Sequence, residues 1–188
     1  MALGAATAIA LGGCSMGEGD DDATSDAAPT ASGSSAEPTN ADPGENGAKQ
    51  AGIDLENPPK AIAEASLRPS GSSSDHIDST TLELVELRKD DKVMFAVFRL
   101  TGTGRGTGQA QASHLLGSIF FQPVFLDMEN LEKYKHIRDL TSSLNASAPL
   151  GEPVYVFTAF PLPREGVDSM DLRITDELPT IEDVPMPE

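Results

Sequence analysis

The 188-residue chain carries thirteen Lys and Arg against thirty Asp and Glu, a formal charge of −17, with 38% apolar residues, a single cysteine and no tryptophan. That balance argues against nucleic acid as a partner, because no basic patch is available to neutralise phosphates. A lone cysteine rules out a disulfide within the chain, and with tryptophan absent and aromatics few a carbohydrate-stacking platform is not expected, although Tyr134 and Tyr155 are available.

Met1 to Ala10 is small or apolar (Ala2, Leu3, Ala5, Ala6, Ala8, Ile9, Ala10) and leads into Leu11-Gly12-Gly13-Cys14. The run falls short of the roughly 20 apolar residues that a membrane-spanning helix needs. An apolar run closed by small residues reads instead as the core of an export signal. A cysteine placed directly after those small residues is the pattern of a lipoprotein signal. Residues 1–13 are therefore expected to be the signal segment, and Cys14 the lipidated first residue of the mature protein. No Lys or Arg precedes the run, which we read as a true start lying upstream of Met1. The competing reading is an Ala-rich cytoplasmic N-terminus with an ordinary buried cysteine. Acylation would make the membrane a partner and the location extracytoplasmic. Each buried CH₂ contributes about 0.8 kcal/mol, so two or more chains anchor stably. An anchored Cys14 would leave the exported domain thiol-free, its stability resting on apolar burial and backbone hydrogen bonds.

From Ser15 to about Lys60 the residues are mostly Gly, Ser, Thr, Ala, Pro, Asp, Glu and Asn, with Met16, Ile53 and Leu55 nearly the only large apolar ones. Such a segment cannot bury enough apolar surface to offset its chain entropy. Residues 14–60 are expected to be a disordered tether, with ten acids against Lys49 and Lys60, a net −8 that leaves −9 on residues 61–188. As a coil it would span about 40 Å. Asp20-Asp21-Asp22 lacks the alternating ligands and turn glycine of a calcium loop, so a solvated acidic spacer is the favoured reading.

Residues 61–188 suit one domain of ordinary size, and their apolar periodicity is mostly two. Ala61 to Leu67 reads as a first strand. In Thr80 to Arg88 the apolar phase slips by one residue between Leu84 and Val85, which predicts a β-bulge. Lys89-Asp90-Asp91-Lys92 is a polar turn before Val93 to Leu100, so the pair predicts a hairpin. Thr101 to Gly117 begins with TGTGRGTG and reads as a long Gly-rich loop. Ser118 to Leu126 is β-rich but interrupted by Pro123, hence broken, bulged or at an edge. For residues 127–140 an extended pair turning at Asp127-Met128-Glu129-Asn130 is preferred to a short helix. Glu152 to Phe160 and Ser169 to Thr175 are further strands, the latter with Met170, Leu172 and Ile174 inward. The acidic, proline-bearing Asp176 to Glu188 is expected to fray. About seven short strands predict an all-β, antiparallel β-sandwich.

The order TLELVEL hairpin, Gly-rich loop, VFLDMENLEKYKHIRD, APLGEPVYVFTAFPLP, VDSMDLRI, DVP resembles actinobacterial secreted lipoproteins over roughly residues 60 to 185. The resemblance implies a single Ig-like, telokin-type sandwich, related to regions that precede OmpA-like peptidoglycan-binding domains; no such domain is expected within residues 1–188. Its motifs are strand and turn motifs, so it implies fold more than activity.

The glycines at 102, 104, 106 and 108 miss the G-x-G-x-x-G spacing, and Gly108 is followed by Gln109 rather than Lys, so no phosphate cradle is indicated. His76, His114 and His136 do not make up a zinc ligand set, and no cofactor or metal is expected. No serine elbow is present, and Asp90-Asp91 or Glu182-Asp183 sit in turns or the tail, without an apolar pocket for acid work. Two strands are apolar on both faces, which leaves Met94, Phe98, Tyr155 and Phe157 as a candidate binding strip if the second face is open. The favoured alternative is a cover from the long loop or from Ile119-Phe120-Phe121. Arg105 at the Gly-rich tip is a candidate anion contact, with a solvated arginine as the plainer reading. The expected function is a non-catalytic envelope lipoprotein whose domain binds an envelope protein or a cell-wall component. The alternative is a small-ligand or sensing domain with its site beneath the Gly-rich loop, and a hydrolase ranks last.

Overall fold

A computed structural model describes residues 45–175, 178 and 180–187. The expected signal segment, Cys14 and the tether up to residue 44 lie outside the described residues. In chain order these form α1 (Ala48–Ala51), β1 (Ala63–Leu67), β2 (Ile77–Asp90), β3 (Val93–Gly104), β4 (Gln109–Gln111), α2 (Ala112–Leu116), β5 (Val124–Asp127), β6 (Glu132–Lys135), β7 (Ser147–Pro149), β8 (Pro153–Pro161), β9 (Ser169–Arg173) and β10 (Ile181–Pro185), with single 3₁₀ turns at Ser72–Ser74 and Arg138–Leu140.

The strands make two antiparallel four-stranded sheets, ordered β1-β2-β3-β8 and β10-β9-β5-β6, with β4 and β7 as a separate two-stranded ribbon. The expected all-β antiparallel sandwich is what the chain forms. In the first sheet β2 and β3 turn tightly through Asp91 and Lys92 between the paired Asp90 and Val93. Their register breaks between Leu84 and Glu86, where the slip in apolar phase predicts a bulge. The extra residue explains the sequence. With Val85 unpaired, Leu84 and Leu87 both turn inward although they are three positions apart, and Val85 itself is buried on the other side.

Period-two alternation fills the space between the sheets. Met94, Phe98 and Leu100 of β3 and Val156 and Phe160 of β8 face Phe125, Met170, Leu172 and Val184 of the second sheet, all in one buried cluster. Phe125 meets Phe160 edge-on, with ring centroids 4.8 Å apart and planes at 71°, a favoured aromatic geometry. Each such side chain contributes about 1.5–3 kcal/mol by leaving water.

Three expectations are overturned. The tether does not run to residue 60. Glu45 and Asn46 are hydrogen-bonded into the fold, the Glu45 carbonyl accepting from Ser147 N–H at 2.9 Å and the Asn46 carbonyl from Tyr155 N–H at 2.7 Å. Ala48, Ala51 and Ile53 then bury against Val85, Val97, Tyr155 and Phe157 on the outer face of the first sheet. Two alanines suffice because their partners are large, so the burial is hidden in a polar composition. The long Gly-rich loop is mostly regular structure: Thr101–Gly104 end β3, a short turn follows, and β4 and α2 take up most of the rest. Gly104 is required there by close approach, since a Cβ would come within 2.1 Å of the His76 carbonyl oxygen. The C-terminal segment does not simply fray. β10 pairs with β9, Val184 opposite Met170, across a register shift after Ile181 where Asp183 has a φ of 55°. That shift hides the strand from a period-two reading.

Gly47 has a φ of +81°, and a Cβ there would lie 2.2 Å from the Tyr155 carbonyl oxygen. Gly47→Ala should therefore cost about 2–3 kcal/mol, read as a lower melting temperature; an unchanged melt would contradict the docking of residues 45–47. Met170→Asp would place an unpaired charge at a position only 2% exposed. We expect a loss above about 4 kcal/mol and an unfolded domain by circular dichroism.

Candidate functional site

The four strand residues of the candidate strip are all buried, at 0% exposure for Met94 and Phe98, 2% for Tyr155 and 7% for Phe157. Met94 and Phe98 belong to the inter-sheet core, where Phe98 packs edge-on against Phe121 at 5.1 Å between centroids. Tyr155 and Phe157 lie on the outer face, beneath α1. The strip is thus no open binding surface, and neither the Gly-rich segment nor Ile119-Phe120 supplies the cover of the outer face. Beside that cover Arg99 clasps Glu83 across the strands with bonds of 2.6 and 2.7 Å and donates to the Pro59 carbonyl at 3.3 Å. The Glu83 carboxylate raises the guanidinium pKa further. Arg105 stands apart from all of these, its side chain 89% exposed and 3.9 Å from Asp78.

A different set of residues meets on the second sheet. After α2, a hydroxyl-backbone turn fixes the segment: Ser118 Oγ donates to the Phe120 carbonyl at 3.0 Å and accepts from Phe120 N–H at 3.1 Å. The turn presents Ile119 and Phe120 to solvent, 77% and 64% exposed, while Phe121 plugs the core. Phe120, Gln122 and His136 form a ridge between two open hollows of about 440 and 560 Å³. On one side lie Val124, Lys133, Lys135 and Arg173; on the other lie Ile119, Arg138 and the segment 141–145.

Strand alternation places the cations. β6 turns Tyr134 into the core, so Lys133 and Lys135 share the outer face, opposite Leu126 and Val124 of β5. Two nearby acids have partners of their own. Glu132 accepts from Tyr134 Oη at 2.7 Å and pairs with Arg164; Asp171 accepts from the Asp183 N–H at 3.2 Å. Among the described residues Lys133, Lys135 and Arg138 have no ion-pair partner. His136 is half-buried, and its Nδ1 has no hydrogen-bond partner among the described residues. Burial, then the Arg138 charge, push its pKa down against a weaker opposing contact with the Pro123 carbonyl. The imidazole is therefore neutral at pH 7, and the fixed positive charge comes from the lysines and Arg138.

This arrangement can attract an anionic group and accept apolar contact beside it. Among the described residues no three His, Cys, Asp or Glu side chains gather as a metal site, and no helix is long and apolar enough to cross a membrane. The ridge went unread in the sequence, although Lys-Tyr-Lys at 133–135 is a signal: two of only thirteen basic residues on one strand face. No family model, curated protein or solved structure matches the chain.

Asp127 fixes the turn that aligns β5 and β6. Its carboxylate accepts from the Asn130 backbone N–H and from Asn130 Nδ2, each at 2.8 Å. These bonds, the backbone one foremost, hold the Asp127 pKa below its ordinary value despite burial. The stabilisation is therefore complete above the unfolded aspartate pKa and is lost as pH falls through the lowered folded value. Asp127→Ala should lower the melting temperature by a few degrees at neutral pH, and thermal melts across acid pH should show the difference from the parent closing; a constant difference would remove the carboxylate from this role.

Proposed function

We propose that the chain is a lipid-anchored, extracytoplasmic lipoprotein of the cell envelope whose sandwich is a non-catalytic binding domain. The observation that carries the anchoring is Leu11-Gly12-Gly13-Cys14, closing an apolar run and followed by an acidic segment rich in Gly, Ser and Pro. A domain without any other cysteine agrees with it. The resemblance of residues 60 to 185 to secreted lipoproteins points the same way.

The binding role is supported by the Ile119-Phe120 ridge. Large exposed apolar residues rimmed by charge mark interaction sites on soluble domains. The alternative of a small ligand at the Gly-rich segment has less behind it: Leu115 is buried against Gly102 beneath that segment, and the hollow of about 410 Å³ beside Arg105 is open to solvent.

Cys14→Ala should abolish acylation and leave the protein removable from membranes by a high-salt wash, while the parent stays bound until detergent is added. Mass spectrometry of the N-terminal peptide and fractionation give the readout. An unmodified Cys14 in the parent, or salt-resistant membrane association of the variant, would refute the anchor.

A further inference from the structure

We propose that the Ile119-Phe120 ridge, with Lys133, Lys135 and Arg138 beside it, docks the domain onto an anionic phospholipid surface. The inference rests on the binding role assigned above to the same face, but not on acylation of Cys14. Three observations carry it. Ile119 and Phe120 have no side-chain polar atom, stand out from the sheet and are pinned in place by Ser118. Such a rigid apolar pair gains by leaving water for hydrocarbon. As lined by the described residues, the adjoining hollows are open to solvent rather than enclosed.

The charges sit where lipid headgroups would meet them. The chain as a whole carries −17, so an anionic bilayer repels it in every orientation except one that presents a locally positive face. Phe120 shares one hollow with Lys133 and Lys135 and the other with Arg138. β6 is also the outer strand of its sheet, and lysines on such a strand discourage pairing with another sheet. That accounts for Lys133 and Lys135 alone; it gives no reason for exposed isoleucine and phenylalanine beside them. A polyanionic wall polymer would use the cations but leave the apolar pair without a partner.

The absence of tryptophan makes the test direct. In the full chain carrying Cys14→Ala, Phe120→Trp supplies a single indole. Its emission should shift to the blue with vesicles of phosphatidylglycerol and phosphatidylcholine, and not with phosphatidylcholine alone. In the same background, with Phe120 retained, flotation should show binding weakened roughly tenfold or more by Ile119→Ser/Phe120→Ser, by Lys133→Glu/Lys135→Glu and by raised salt. All these positions are exposed, and an unchanged melt establishes that each variant folds. The apolar residues 1–13 are common to every arm, so differences between arms belong to the ridge. Absence of the blue shift, or vesicle binding equal in parent and variants, overturns the proposal. An equal shift with soluble polyglutamate and no vesicles also overturns it, in favour of an acidic polymer. Loss of vesicle binding would leave the acylation measurement on Cys14 untouched, so the two readings fail separately.

Discussion

Strand β8 has two apolar faces and a free edge, and a second sheet can cover only one of those faces. The inward row, Val154, Val156 and Phe160, is covered by the opposing sheet. The outward row, Tyr155 and Phe157, is covered by α1 and Ile53, from a segment whose composition is that of a linker. The edge away from β3 is closed piecemeal: Tyr155 N–H donates to the Asn46 carbonyl, Phe157 N–H to Ser142 Oγ at 2.9 Å, and the Ala159 carbonyl accepts from Ile137 N–H at 2.7 Å. Buried backbone groups and open strand edges must find partners. The path of residues 45–47 and 137–142 follows from that requirement.

Much of the sandwich was legible because a half-buried strand writes its burial into the sequence with period two. Leu84 and Val85 revealed the bulge, Pro123 the break before β5, and the turn residues 127–130 the β5–β6 hairpin over the rival helix. What escaped notice had lost that period. α1 buries alanines against rings of another strand, β10 breaks its alternation at Asp183, and in β3 the glycines Gly102 and Gly104 look like loop although they are paired. In each case the deciding partner is distant in sequence and invisible to a local window.

The site was less legible than the fold. Two-sided apolar strands rightly signalled that the first sheet needed a second cover, but burial in Met94, Phe98, Tyr155 and Phe157 cannot be told from exposure without knowing what lies above. The ridge depends on a converse fact. Ile119, Phe120 and Phe121 are near-identical in apolar character, yet only Phe121 points inward, because the Ser118 turn fixes which of the three faces Phe98. Likewise Lys133 and Lys135 become a pair only through the inward turn of Tyr134, and their charge stands out only against a chain so acidic.

The way the chain joins the sandwich has a consequence for how this region can vary. At Glu45 it is the main-chain oxygen that grips the sandwich, while its exposed carboxylate bonds Gln50 of the same segment at 2.9 Å, so the side chain can change at little cost. Gly47 is different: it fits a notch against Tyr155 that admits no Cβ. Removing or inserting a single residue between Glu45 and Gly47 would slide Asn46 or Ala48 into that notch. Homologous chains should therefore drift in composition at position 45 while keeping the count of residues up to the glycine, so that spacing is the inherited quantity.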